Sequence, residues 1–388
     1  MRVYFDHNAT TPVRPEVFEA IRPFLTEKFG NPSSLHWAGE EVAIEVDKAR
    51  KEVADLINAQ PKEIVFTAGG SEADNMAIKG ALAVKKEKGK HFITTAVEHP
   101  AVRNTAKWLQ KNGYDVTFLQ VDSRGRIDLD ELDASFRDDT VLVSAMFANN
   151  ETGTVFPVKE IGRIAKEHGV LFHCDAVQAA GKLPIDVSSL NVDMLSISGH
   201  KLNAPKGVGA LFIRRGLKVE HLIHGGHQER GRRAGTENVV GIIGFGEAAR
   251  LAKVEMKKDY DKLTALRNKL EKSILEKIPD VLVNGDKENR LPNTLNVSFR
   301  YVEGEGILLF LNEAGIAASS GSACTSGTLD PSHVLLAMGL AHEDAHGSVR
   351  FSLGYGNDEA QVDYVIEQIP PIIERLRKMS PLTAKARG

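Results

Sequence analysis

The sequence predicts an α/β fold with a mostly parallel sheet, followed by a second, smaller α+β domain. Two observations predict it. From residue 63 to residue 215, short apolar and β-branched runs alternate with segments of helical spacing, the pattern of strands joined by crossover helices. After about residue 236 the texture changes to one long helical stretch and then a mixture of strands and helices. No low-complexity linker separates the halves, so the two domains are expected to pack tightly.

EIVF (63–66) is a short apolar run, and residues 71–90 follow it with helical spacing. HFITTAV (91–97) reads as a strand, AVRNTAKWLQKNG (101–113) as a helix closed by glycine, and YDVTFLQV (114–121) as a strand again. TVLVSAMFA (140–148), GVLFHCDAV (169–177), VDMLSIS (192–198) and VGALFIRR (208–215) supply four further strands. Their order in the sheet is not legible from this pattern. A helix then covers most of 237–277, and VLVNG, NTLNVSFR and GSVRFSLG are the later strands. EGILLFLNEAG and residues 359–379 read as helices between and after them, and the final SPLTAKARG has too little apolar content to dock firmly.

With 388 residues, 42% of them hydrophobic, the chain can bury a large core. Its 49 basic against 52 acidic residues leave a net charge of −3, which argues against a general nucleic-acid binder. The opening MRVYFDHNATT lacks a targeting pattern and no apolar run reaches membrane-spanning length, so a soluble, cytoplasmic protein without membrane partners is expected. Two cysteines are too few for a disulfide framework. Counting leaves a single Cys174–Cys324 bridge open, but one core thiol and one working thiol is the more natural reading.

SISGHKLNAPKGVGAL (196–211) places Lys201 after an apolar strand and a small-residue turn, with Ser198 and His200 beside it. An amine there suits a Schiff base, and its neighbours can donate to a phosphate; a lone turn lysine is the bland alternative. In HCDAVQ, Asp175 falls at a strand's carboxyl end, where a carboxylate can keep a heterocyclic nitrogen protonated or simply cap the next turn. Cys174 points the other way, into core. FTAGGSEADN runs from a strand through Gly69, Gly70 and Ser71 into a helix, a phosphate cradle or a plain helix cap. His99 and Asn150, each just past a strand, can reach the same sheet edge, although capping roles would also explain them.

Between Ala317 and Thr328 nearly every side chain is small or hydroxylic, which predicts an exposed, mobile loop. Cys324 sits within it, where packing does not explain a thiol, as a nucleophile or an incidental exposed cysteine. Arg350, inside a strand, needs a partner: a substrate carboxylate or an internal acid. HGGHQERGRRAGTEN (224–238) reads as an anion-binding or subunit-contact loop rather than a metal site, because two histidines lack a clear third ligand.

GNPSSLHWAG, FTAGGSEADN, AVEHPAV, NNETGTVFPV, HCDAVQAAGK, SISGHKLNAPKGVGAL, RRAGTEN and SSGSACTSG, in this order and spacing, resemble the cysteine desulfurases of the fold-type I pyridoxal-phosphate superfamily, particularly the NifS-like branch of the NifS/IscS group. The resemblance implies an aspartate-aminotransferase-like fold. Residues 15–250 would form a large cofactor-binding domain with a mostly parallel seven-stranded sheet. Residues 1–14 plus 251–388 would form the small domain, carrying a catalytic cysteine loop at about 317–331.

By the same resemblance Lys201 holds pyridoxal 5'-phosphate as a Schiff base, Asp175 meets the ring nitrogen, and His99 stacks on the ring and takes part in proton transfer. Gln178 lies at the ring hydroxyl and Asn150 near ring and substrate. Gly70, Ser71, Ser198 and His200 hold the phosphate, with Thr236 contributed from the other subunit of a homodimer. Arg350 binds the carboxylate of L-cysteine, and Cys324 takes its sulfur, leaving alanine. Ala68 departs from the family's usual serine.

The implied activity is PLP-dependent cysteine desulfuration supplying iron–sulfur cluster assembly, with a scaffold protein as sulfur acceptor. No metal site is expected beyond Cys324 as a transient iron–sulfur ligand. A selenocysteine lyase or another PLP-dependent transferase is the nearest alternative, and transamination would have no use for Cys324. A non-catalytic assembly scaffold is the alternative of another class, and the joint presence of Lys201, Asp175, His99 and Cys324 weighs against it.

Overall fold

The computed structural model describes residues 1–320 and 331–380. Twelve strands appear among them: β1 (Val3–Tyr4), β2 (Ile64–Thr67), β3 (His91–Thr95), β4 (Asp115–Leu119), β5 (Thr140–Met146) and β6 (Leu171–Asp175) come first. They are followed by β7 (Met194–Ser198), β8 (Gly209–Ile213), β9 (Val281–Asn284), β10 (Thr294–Phe299), β11 (Ile316–Ala317) and β12 (Ser348–Ser352).

Seven of them form one sheet in the order β2-β8-β7-β6-β5-β3-β4. Every pairing in it is parallel except those of β8, which runs antiparallel to both β2 and β7. Alternation along the strands divides the core between the two faces. Phe66, Ile93, Val143 and Phe172 join one apolar cluster, while their neighbours Val65, Phe92 and Leu142 join another with Met76, Ile78 and Leu82 of helix Gly70–Val84. Covering both faces with helices is what a parallel sheet requires, and it leaves only the strand ends open for chemistry.

A second sheet, β12-β10-β9, is antiparallel throughout. Its apolar cluster combines Leu295, Val297, Phe299, Val349 and Phe351 with Val362, Val365, Ile369 and Ile373 of helix Glu359–Met379. Helix Val239–Lys277 connects the two bodies. Ile242, Phe245 and Leu251 near its start enter the first cluster, and Leu266, Leu270 and Ile274 near its end enter this one. One rigid rod shared by both cores holds the bodies side by side.

The first residues of the chain return to this junction. β1 pairs in parallel with β11, and Asp6 bridges to Ser352 at the end of β12. The amino-terminal strand therefore delivers Asp6, His7 and Asn8 to the seam between the two bodies.

Candidate active site

The carboxyl ends of the parallel strands gather the predicted site residues, as the topology of an open α/β sheet favours. Asp175 is the last residue of β6 and Ser198 the last of β7; Lys201 ends the 3-10 turn Gly199–Lys201 directly after it. His99 follows β3 and opens helix Pro100–Lys111, and Asn150 follows β5. Arg350 comes from β12 of the second sheet and faces the same seam.

Asp175 is buried, and its Oδ1 accepts the Val177 N–H at 2.9 Å. Burial raises its pKa, while His99, that N–H and Lys201 oppose the rise. His99 caps its helix, with Nδ1 accepting the Ala101 N–H at 3.1 Å. That bond leaves the proton of the neutral ring on Nε2, the nitrogen free to face the site. Burial lowers the His99 pKa, and Lys201 adds to the effect against the pull of Asp175. His99, Asp175 and Asp74 bring ligand-capable atoms within 4.8 Å of one another. Asp74 and Glu98 lie in the same buried region, and burial pushes Glu98 up to about 8.

The Lys201 amine donates to the carbonyl oxygens of Asn8 at 2.5 Å and Ala9 at 2.6 Å. Gln178 Nε2 donates to the same Asn8 oxygen at 3.0 Å, and Lys182 Nζ donates to Gln178 Oε1 at 3.2 Å. Asn8 Nδ2 donates in turn to the Asn150 oxygen at 3.1 Å. One stretch of the amino terminus thus ties Lys201, Gln178 and Asn150 together.

Beside this lies a cleft of about 460 Å³ lined by Gly69, Gly70, Ser71, Ser198, His200 and Lys206, among others. Gly70 begins the helix Gly70–Val84, so unpaired backbone N–H groups and the positive end of the helix dipole face the cleft. A Cβ at Gly70 would stand 2.8 Å from Val177 Cγ2, so only glycine lets the helix start approach the strand ends. Ser71 does not cap this helix; Gly69 holds the N-cap position, so that alternative for the serine fails. His200 Nδ1 pairs with Thr10 Oγ1 at 3.1 Å, and burial with nearby Lys201 brings its pKa down to about 4. A cleft of hydroxyls, backbone N–H groups and a lysine fits a phosphate, and the Asp175 carboxylate beside His99 fits the ring of a protonated heterocycle.

Arg350 has the internal acid that its sequence context left open. Its Nη2 donates to Asp6 Oδ1 at 2.7 Å and its Nη1 to the Asn150 oxygen at 3.0 Å, while the buried Nε has no partner among the described residues. Thr236 is exposed and does not line the cleft within this chain. Its loop is nevertheless anchored: Arg50 pairs with Glu229 through two bonds of 2.7 and 2.9 Å, and Arg233 pairs with Glu72 at 2.8 Å. Cys174 is fully buried and free. Cys324 lies outside the described residues, as does most of the loop expected around it.

Sequence reasoning passed over Asp6, Asn8, Lys182 and Lys206. Lys182 stands four residues after Gln178, a spacing that offered a hint; Asp6 and Asn8 reach the site only through contacts across the whole chain.

The family model for class-V aminotransferases matches residues 3–365. A cysteine desulfurase of Nostoc sp. (strain PCC 7120) is 58% identical over 379 residues, covering 98% of this chain and 94% of the relative. A solved NifS-like protein superposes with a TM-score of 0.92 at 41% identity, over 97% of this chain and 100% of its own. A second structure, described as SspA in complex with cysteine, has a TM-score of 0.81 at 39% identity, over 90% of this chain and 98% of its own.

Proposed function

The chain belongs to the class-V aminotransferase family and is a PLP-dependent cysteine desulfurase of the NifS/IscS type, and from that premise we propose which of its residues do the work. The enzyme converts L-cysteine to L-alanine and leaves the sulfur as a persulfide. Pyridoxal 5'-phosphate, when bound, supplies the electron sink that makes the substrate Cα–H acidic and its sulfur open to attack. Lys201 is its covalent anchor, Asp175 and Gln178 its ring contacts, and Gly70, Ser71, Ser198 and His200 its phosphate contacts. The single observation that carries this assignment is the meeting of Lys201, Asp175 and His99 at or just beyond the carboxyl ends of β7, β6 and β3, next to the glycine-lined cleft.

Arg350 binds the substrate carboxylate. Asp6 and the Asn150 carbonyl fix the plane of its guanidinium, so binding costs it little side-chain entropy. Lys201 Nζ takes the proton from the substrate Cα, and His99 Nε2 serves proton transfer on the ring side. The Cys324 thiolate attacks the substrate sulfur: an S–S bond forms, the C–S bond breaks, and the carbon gains a proton to become the alanine methyl group. No external oxidant is consumed: the electron pair of the broken C–S bond stays with carbon, which is reduced as the sulfur rises to the persulfide level, and a thiol later reduces that sulfur when it releases it.

The active unit is a homodimer in which Thr236 completes the partner's phosphate site. Thr236 stands exposed on a loop held by two ion pairs, and Phe29, Leu35 and Trp37 are each at least three-quarters exposed, the apolar surface an interface would cover. The sulfur goes to a scaffold protein for iron–sulfur cluster assembly. No helix among the described residues is long and apolar enough to cross a membrane.

Paired release of alanine and sulfide tests the assignment, with cofactor-loaded enzyme, L-cysteine and a thiol reductant. Equal yields over many turnovers, abolished in Lys201→Ala together with the visible cofactor absorbance, are expected. Turnover by Lys201→Ala at the native rate would overturn it.

A further inference from the structure

We infer that Lys182 is a positioning residue of the reaction: it fixes the side-chain amide of Gln178 so that an N–H, not an oxygen, faces the cofactor site. The inference rests on the assignment of Lys201 and Gln178 to the cofactor made above.

An amide can present either end, and only its hydrogen bonds decide which. At Gln178 both ends are spoken for. Lys182 Nζ donates to Gln178 Oε1 at 3.2 Å and to the Gln178 main-chain oxygen at 2.9 Å. Lysine has donors only, so the end it meets must be the oxygen. The opposite end, Nε2, then donates to the Asn8 carbonyl, which also receives the Lys201 amine at 2.5 Å. Donation runs one way from Lys182 through Gln178 to the Asn8 oxygen, where it meets the donation arriving from Lys201.

Lys182 also acts through its charge. It lines a small cavity of about 70 Å³ together with His7, Arg14, Lys201 and Asp259. Desolvation, then Lys201 and Arg350, bring its ammonium down to about 7, and it depresses His7 and His200 in return. Asp259 of helix Val239–Lys277 is the acid that lines the same cavity. A cation in that position opposes a second positive charge at Lys201. The amide N–H, for its part, stabilises a deprotonated ring oxygen. Loss of Lys182 removes the first effect and frees Gln178 to turn its oxygen inward, and both changes favour protonation at the cofactor.

The test is a pH titration of the visible absorbance of resting, cofactor-loaded enzyme, without substrate. Lys182→Met is expected to bind cofactor stoichiometrically, with its titration midpoint shifted up by about one unit. Lys182→Arg, which keeps both the donor and the charge, restores the native midpoint. In a Gln178→Ala background the Lys182→Met shift shrinks, because part of it acts through that amide. Should Lys182→Met fail to fold, Lys182→Leu, equally without donor or charge, carries the same upward shift. A native midpoint in the neutral variant overturns the inference. Lys201→Ala separates the two readings: if it keeps the visible absorbance, the cofactor assignment itself fails, whereas an unshifted midpoint in Lys182→Met defeats only the role of Lys182.

Discussion

Arg350 Nη2 meets Asp6 Oδ1 at 2.7 Å, an ion pair between residues 344 positions apart that joins the amino terminus to the second sheet. Both side chains are largely buried, so the pair fixes the guanidinium rather than fluttering at the surface. Asp6 is an orienting partner that a substrate carboxylate would join rather than replace, since Nε has no partner among the described residues.

Asp6→Ala should therefore raise KM for L-cysteine about tenfold, a loss of roughly 1.4 kcal/mol of binding, with a smaller change in kcat. Asp6→Asn, which keeps an acceptor without the charge, should fall between. Steady-state kinetics over a range of L-cysteine concentrations separates the two parameters. An unchanged KM in Asp6→Ala would mean that Arg350 needs no such support.

Glu98 governs a pH dependence of stability. Burial raises its carboxyl to about 8, against donation from Thr95 Oγ1 at 2.8 Å and the Met146 N–H at 3.0 Å. The folded protein then holds a proton that the unfolded chain has lost above its ordinary pKa of about 4.5, so this group's contribution is full below about 4.5 and is lost as pH rises toward about 8. Glu98→Gln removes the titration. Denaturant unfolding of the apoenzyme should place the variant ahead of the native protein by more at about pH 8.5 than at about pH 5.5. A constant difference across that range would contradict the raised carboxyl.

The Arg50–Glu229 pair holds the base of the loop that presents Thr236. Its side chains are only 7% and 3% exposed, and Glu229 Oε2 also accepts the Phe66 N–H at 2.9 Å. Glu229→Ala takes the buried carboxylate from Arg50, leaving it the Ile64 carbonyl at 3.2 Å and the exposed Asp47 at 3.8 Å, and should cost about 3 kcal/mol of stability. Because that loop is assigned to the subunit contact, the variant should also dissociate at higher concentration in sedimentation. A native melting curve would show the pair to be dispensable.

The elements themselves were legible because burial on both faces of a parallel sheet writes continuous apolar runs, as in TVLVSAM of β5 and MLSIS of β7. Helix Glu359–Met379 matches its expected span to the residue. The order β2-β8-β7-β6-β5-β3-β4 was not legible, since nothing local in β8 records that it pairs between β2 and β7. The site divides in the same way. Asp175, Ser198 and Lys201 stand at strand ends that the sequence pattern locates. Asp6 and Asn8 follow a two-residue opening strand with no periodicity to read, and their partners are Arg350, Asn293 and Thr294 far along the chain. Lys182 reads as an ordinary exposed lysine until Gln178 Oε1 is seen in front of it.

One turnover measures whether Cys324 carries the sulfur. Cofactor-loaded enzyme is mixed with a single equivalent of L-cysteine in the absence of reductant, alanine is quantified, and the Cys324 peptide is weighed by mass spectrometry under non-reducing conditions. One alanine is expected for each Cys324 that has gained one sulfur atom, with Cys174 unmodified, and neither product from Cys324→Ala. Stoichiometric alanine from Cys324→Ala, or sulfur found on Cys174 instead, would contradict it.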